Sequence, residues 1–240
     1  MDKKRNLLLA IFVLASLGLV AGTVYAGTAE EAFNKGMEYG KRGMYDQAIS
    51  EFNKAIEINP KYAEAYSYRG LAYVSKDNFD QAILDLTKAI EINPKYADAY
   101  LGRGSCYLKK GNFDQGILDL TKAIEINPKV AGAYIGRAGA YAAKGNFDQA
   151  ILDLTKAIEI NPKVAGAYTI RGAAYAAKGN FDQAILDLTK AIEINPKVAE
   201  AYYRRGNAYA LKDKLDQAIL DLTKAIEIDP KLAKAYNDRG

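Results

Sequence analysis

The chain has 240 residues, half of them hydrophobic, with one cysteine, no histidine, no tryptophan and a formal charge of +4. The lack of histidine excludes Ser-His and Cys-His nucleophile pairs and removes the commonest metal ligand, and a single cysteine makes no thiolate zinc site. There is no Gly-rich phosphate loop, and a near-neutral balance of interspersed signs is not the footprint of a nucleic-acid binder. The chain therefore reads as a non-catalytic protein without cofactor or metal. Carboxylates are plentiful, but Glu57, Glu91, Glu125, Glu159, Glu193 and Glu227 recur at one fixed interval, as scaffold residues do.

The first element is an N-terminal leader. Asp2-Lys3-Lys4-Arg5 precedes an uncharged stretch over 7–21, and Val24-Tyr25-Ala26 offers small residues at −3 and −1 for cleavage before Gly27. That is the three-part layout of a secretory signal over residues 1–26. The alternative is an uncleaved anchor, since residues 7–26 are long enough to span a bilayer. Either places the remainder outside the cytoplasm, periplasmic or extracellular, with membrane contact only through residues 7–26. Removing residues 1–26 lowers the formal charge from +4 to +2.

From residue 29 onward the chain repeats. Its six prolines, Pro60, Pro94, Pro128, Pro162, Pro196 and Pro230, are spaced 34 residues apart. Such a period marks stacked supersecondary units rather than one closed globule. The units are 29–62, 63–96, 97–130, 131–164, 165–198 and 199–232, with a partial seventh over 233–240. Within each, position 4 is Tyr66, Tyr100, Tyr134, Tyr168, Tyr202 or Tyr236, with Ala32 in the first unit predicting looser packing there. Position 8 is Gly except at Ala138, position 11 is Tyr from Tyr39 to Tyr209, and position 20 is Ala except at Gly116. In the third unit Tyr100, Gly104 and Tyr107 share one helical face, Gly111-Asn112 breaks the helix, and Phe113, Ile117, Leu120 and Ile124 define a second face. Asn127 before Pro128 is biased out of the helical region, so the second helix ends there. The small residues at 8 and 20 let two backbones approach, and stacking of pairs supplies the core.

Position 7 is always basic (Lys35, Arg69, Arg103, Arg137, Arg171, Arg205) and position 23 always acidic (Glu51, Asp85, Asp119, Asp153, Asp187, Asp221), which predicts an interhelical ion pair in each unit. Cys106 stands where other units have alanine and reads as a small buried hydrophobe.

These marks resemble the tetratricopeptide repeat (TPR) family over residues 29–240. The resemblance implies an all-α, right-handed superhelical solenoid whose first helices line a concave groove, with positions 2, 5, 6, 9, 12 and 13 facing a protein or peptide ligand. The units themselves support that division. The second helix is nearly copied, FDQAILDLTKAIEINPK recurring at 79, 147 and 181, whereas the first helix varies. The candidate groove residues are Tyr68, Leu71, Leu101, Ser105, Ile135, Gly139, Thr169, Ile170, Tyr203, Arg204 and Asn207. The clamp for a C-terminal carboxylate that some family members carry is not matched; the first three units offer Phe33, Met37, Tyr68, Asp98 and Gly102 at its positions. An apolar or helical ligand is expected instead. The reading is thus an exported interaction scaffold that binds a peptide segment or helix, without nucleic acid. Its alternatives are a self-assembling solenoid and the recognition arm of a longer, truncated protein.

Overall fold

The computed structural model describes residues 27–239; the expected leader over 1–26 and Gly240 lie outside the described residues. The chain divides into two compact units, one ending at Pro94 and the other beginning at Lys95. The first holds α1 (Ala29–Lys41), α2 (Tyr45–Ile58), α3 (Ala63–Val74) and α4 (Phe79–Ile92). The second holds α5 (Ala97–Lys109), α6 (Phe113–Ile126), α7 (Ala131–Ala143), α8 (Phe147–Ile160), α9 (Ala165–Ala177), α10 (Phe181–Ile194), α11 (Ala199–Ala210), α12 (Leu215–Ile228) and α13 (Ala233–Arg239). The described residues contain no strand. Within each unit every helix packs on the next, and α1 also touches α3, α5 touches α7, α7 touches α9 and α9 touches α11, so the architecture is an all-α solenoid of helix pairs.

Local chemistry sets the ends of the helices. Thr28 and Glu31 cap α1 reciprocally: the Thr28 hydroxyl accepts from the Glu31 amide at 3.1 Å and the Glu31 carboxylate from the Thr28 amide at 2.9 Å. Gly111, Gly145 and Gly179 follow α5, α7 and α9 with φ of +77 to +78°, whereas Asp77 and Asp213 adopt φ of +56° at the same repeat position. Even-numbered helices stop at an extended residue before proline, such as Asn127 with φ −135° and ψ 94°, because the proline ring excludes the helical region there. The Asn127 side chain then accepts from the Lys129 amide at 3.1 Å, closing a turn over Pro128.

The core lies between paired helices. Leu86, Leu120, Leu154, Leu188 and Leu222 are buried at position 24, with Phe52 in their place in the first repeat. A Cβ at Gly104 would stand 2.9 Å from Leu120 Cγ and 3.2 Å from the Gly116 carbonyl, so backbone contact requires the missing side chain. The Gly116 departure is compensated by Leu108, whose Cδ2 occupies the space a Cβ at 116 would need, at 2.3 Å. Ala32 is itself buried, in one cluster with Ala55 and Ala65. Phe33, one residue on, packs with ring centroids 5.7 Å from Phe52, 5.1 Å from Tyr62 and 5.4 Å from Tyr68. At the other end Ala235, rather than Tyr236, is the residue of α13 buried against Leu222 and Ile226.

The predicted ion pairs form in five repeats. Arg69, Arg103, Arg137, Arg171 and Arg205 each donate through Nε and Nη2 to both carboxylate oxygens of Asp85, Asp119, Asp153, Asp187 and Asp221, at 2.6–2.8 Å. The first repeat differs: Glu51 accepts from Lys54 at 2.5 Å, because lysine cannot reach across as a two-pronged donor. The guanidinium also joins neighbouring repeats. Its Nη1 donates to Thr121 from Arg137, Thr155 from Arg171 and Thr189 from Arg205, at 2.9–3.0 Å. The tyrosine at position 4 lies under each guanidinium at 5.4–5.9 Å. A second set of links runs from Lys144 to Asp114, Lys178 to Asp148 and Lys212 to Asp182.

Candidate functional site

In the first unit α1 and α3 stand side by side over α2, and a cavity of about 310 Å³ opens between them. Phe52 of α2 is its floor, Met37 and Tyr68 its flanks, and Leu71 its far rim. The cavity exists because α1 carries glycine where it opens. Gly36 is required by Phe52, whose ring would meet a Cβ at 2.5 Å. Gly40 is not: a Cβ there has nothing within 4 Å. Tyr68 is held by the Phe33 and Phe52 rings, the latter with centroids 6.3 Å away, so that wall is rigid aromatic surface.

The predicted groove residues separate into three groups. Tyr68 and Leu71 meet in this cavity. In the second unit Leu101, Ile135 and Ile170 are half-buried, packed against the cores around Leu120 and Leu154. Thr169 is only 7 % exposed and its hydroxyl donates to the Ala165 carbonyl at 3.0 Å; Ser105 donates likewise to Leu101 at 2.8 Å. Thr169 and Ile170 border a depression of about 560 Å³ with Gly166, Ile194 and Val198. Gly139 is half-buried, with open space where its Cβ would stand. The third group gathers at α11 and α13. The Tyr203 hydroxyl donates to Asp238 at 2.9 Å, the Asn207 amide to the same oxygen at 3.1 Å, and Arg204 to Glu200 at 2.6 Å. Burial pushes the Tyr203 phenol up, and its bond to Asp238 adds to that.

Sequence reasoning passed over Gly40, Lys41, Tyr45, Phe52 and Ser75 as site residues, although all line the cavity. Gly40, Lys41 and Ser75 stand at positions 12 and 13, which the resemblance already assigned to the groove. Phe52 carried a signal of its own, being the one position-24 residue that is not leucine. The expected buried character of Cys106 holds: it is 1 % exposed, and burial pushes its thiol up to about 11.

A groove of variable side chains held by an invariant helical frame defines a repeat scaffold, a class that works by contact with other proteins. Two family descriptions agree. "TPR repeat" matches residues 36–77, 70–111 and 172–213, and "Tetratricopeptide repeat" matches 97–130, 131–164 and 199–232. The chain belongs to the tetratricopeptide repeat family. MamA is similar in structure with 32 % identity, 69 % of this chain and 96 % of MamA covered, and a TM-score of 0.62. YrrB, described as a TPR protein with an unusual peptide-binding site, is similar with 27 % identity, 78 % and 96 % covered, and a TM-score of 0.65. Pseudomonas aeruginosa pilF shares the fold, with a TM-score of 0.78, 87 % and 95 % covered and 14 % identity. In sequence, an uncharacterized protein of Methanocaldococcus jannaschii is 47 % identical over 38 residues, 16 % of this chain, and the chain spans 44 % of that relative's length. The family's scaffold architecture serves protein–protein interaction in general, and nothing in these likenesses points to an enzyme.

Proposed function

We propose that this protein is a non-catalytic scaffold that holds a peptide segment or helix of a partner protein against its odd-numbered helices, and that it works outside the cytoplasm. The observation that carries the groove reading is the apolar cavity between α1 and α3, whose lining includes Met37, Gly40, Lys41, Tyr68, Leu71 and Ser75 at ligand-facing positions of the repeat. Its volume lies within the range of ligand pockets, and it combines an apolar body with a few polar groups at the rim. The similarity to YrrB, itself described as carrying a peptide-binding site, adds support. A peptide-display selection on the purified chain, run beside Leu71→Glu and Ile135→Glu, tests the reading. Enriched peptides lost with either variant fit it; enrichment indifferent to both moves the site off this face.

Export rests on the basic-then-apolar pattern of residues 1–26. N-terminal sequencing of protein from the extracytoplasmic fraction should begin at Gly27, and intact Met1 in the cytoplasm contradicts it. A second reading, self-association, is favoured by Leu118, Leu152, Leu186 and Leu220, which are 62–71 % exposed at one repeat position. Light scattering over a hundredfold concentration range decides it, a constant monomer mass counting against assembly.

A further inference from the structure

The cavity in the first unit has a chemistry more specific than a general apolar groove. An apolar cavity of about 150 Å³ holds a benzene ring. This one, at about 310 Å³, has room for a larger ring and the chain that carries it. Its lining includes Phe52, Tyr68, Tyr45 and Met37. Ring edges and faces meet another aromatic in offset or T-shaped contact, and sulfur also packs favourably on rings. Aliphatic guests gain neither, so the walls select an aromatic guest over leucine by up to about tenfold.

Gly40 lies in the last turn of α1, and no atom of the fold lies close enough to demand a glycine there. What the missing side chain leaves is the mouth of the cavity.

Charge at the mouth completes the description. Ser75 is committed to the Leu71 carbonyl at 3.2 Å, Arg42 lies beside Glu38 at 4.0 Å, and Lys76 pairs with Asp46. Lys41 lines the cavity and makes no ion pair among the described residues. An uncommitted ammonium beside an apolar pocket is complementary to a carboxylate on the guest.

We propose that this cavity is an anchor pocket for one large aromatic side chain, Phe- or Trp-sized, of a partner segment that carries Asp or Glu within two residues of it, with Lys41 receiving the carboxylate. The proposal rests on the groove reading above and assigns it a ligand class. The test is a display selection with a random heptapeptide library on the full-length chain, Gly40→Leu, Lys41→Glu and Ile135→Glu, each checked for native helicity by circular dichroism. Gly40→Leu fills the mouth without touching the backbone, and Lys41→Glu alters only the exposed charge. The expected result is enrichment of peptides with an aromatic residue followed or preceded by an acidic one. A synthetic peptide of that sequence should bind at least tenfold more weakly to Gly40→Leu, and Lys41→Glu should shift the selected flank from acidic to basic while keeping the ring. Enrichment unchanged in both variants overturns the anchor pocket, and the groove reading survives that result when Ile135→Glu abolishes it. No enrichment from a folded sample overturns both.

Discussion

In residues 27–94 the space between odd-numbered helices is set by a cluster of rings, whereas at the same places of residues 131–177 it is set by aliphatic side chains and glycine. Phe33, Phe52, Tyr62 and Tyr68 form one connected cluster around α1 and α3. The equivalent places in the fourth and fifth repeats carry Ile135 and Thr169 for Phe33, Gly136 and Ile170 for Tyr68, and the buried Leu154 and Leu188 for Phe52. Both arrangements use the same backbone, so the frame does not depend on large side chains in the groove. What the large side chains add in the first unit is a shaped hole. The second unit holds instead a depression of about 560 Å³ bordered by Gly166, Thr169 and Ile170.

That comparison is most strongly stressed by removing its largest element. Phe52→Ala deletes both a 2 % exposed core residue and the cavity floor, and should destabilise by about 3–5 kcal/mol. Leu154→Ala, its counterpart in a copied repeat, should cost nearer the low end of about 2–5 kcal/mol. Urea unfolding followed by circular dichroism measures both, and equal losses would mean that the ring cluster holds nothing extra. The frame common to both units is addressed next. In a double-mutant cycle Arg137→Ala and Asp153→Ala should couple by about 1–3 kcal/mol, as bidentate, half-buried charge-assisted bonds do. The exposed Lys156–Glu159 pair should couple far less. Full additivity at Arg137 and Asp153 would remove the ion pair from the frame.

Smaller effects separate the two regions by sign. Gly132→Ala and Gly139→Ala meet nothing within 4 Å and should each stabilise by about 0.5–1 kcal/mol. Gly36→Ala should destabilise, since its Cβ collides with Phe52. Melting temperatures of the three variants check this, and a loss on both α7 substitutions would show that those glycines are needed for packing. A pH effect at Cys106 stands apart from these. Its folded pKa of about 11 exceeds the ordinary 9.0, so its contribution is complete below pH 9 and is lost as pH rises towards 11. Wild type should therefore lose more stability than Cys106→Ala between pH 9 and 11. An identical pH profile for the two would contradict burial of the thiol.

The fold was legible in the sequence because its physics is local and repeated. The proline period, the glycine breaks and the two helical faces all act within one unit, and the Arg–Asp pairs showed as a basic and an acidic residue kept at one offset. The links between repeats were harder to see. Arg137 to Thr121 and Lys144 to Asp114 recur at constant offsets, but nothing in a single helix says that those residues meet. The cavity was only half visible. Tyr68 and Leu71 announced themselves as large groove residues, whereas Gly40 contributes by what it lacks, and Lys41 by having no partner among the described residues. Thr169 is polar and sits at a groove position, yet its hydroxyl turns back to its own helix, a choice that side-chain identity alone does not reveal.

The guanidinium link has a consequence for how such a chain changes length. Arg137, Arg171 and Arg205 each reach sixteen residues forward for an aspartate and sixteen back for a threonine. Excising residues 131–164 would bring Arg171 to Thr121 at the same offset and leave no joint that did not exist before. The stretches beginning at Phe147 and Phe181 are identical over seventeen residues, so either can stand in the other's place. Gain or loss of a whole repeat is therefore structurally silent at its seams. The number of repeats can drift between generations while every surviving unit keeps its stitching, and only the reach of the array changes.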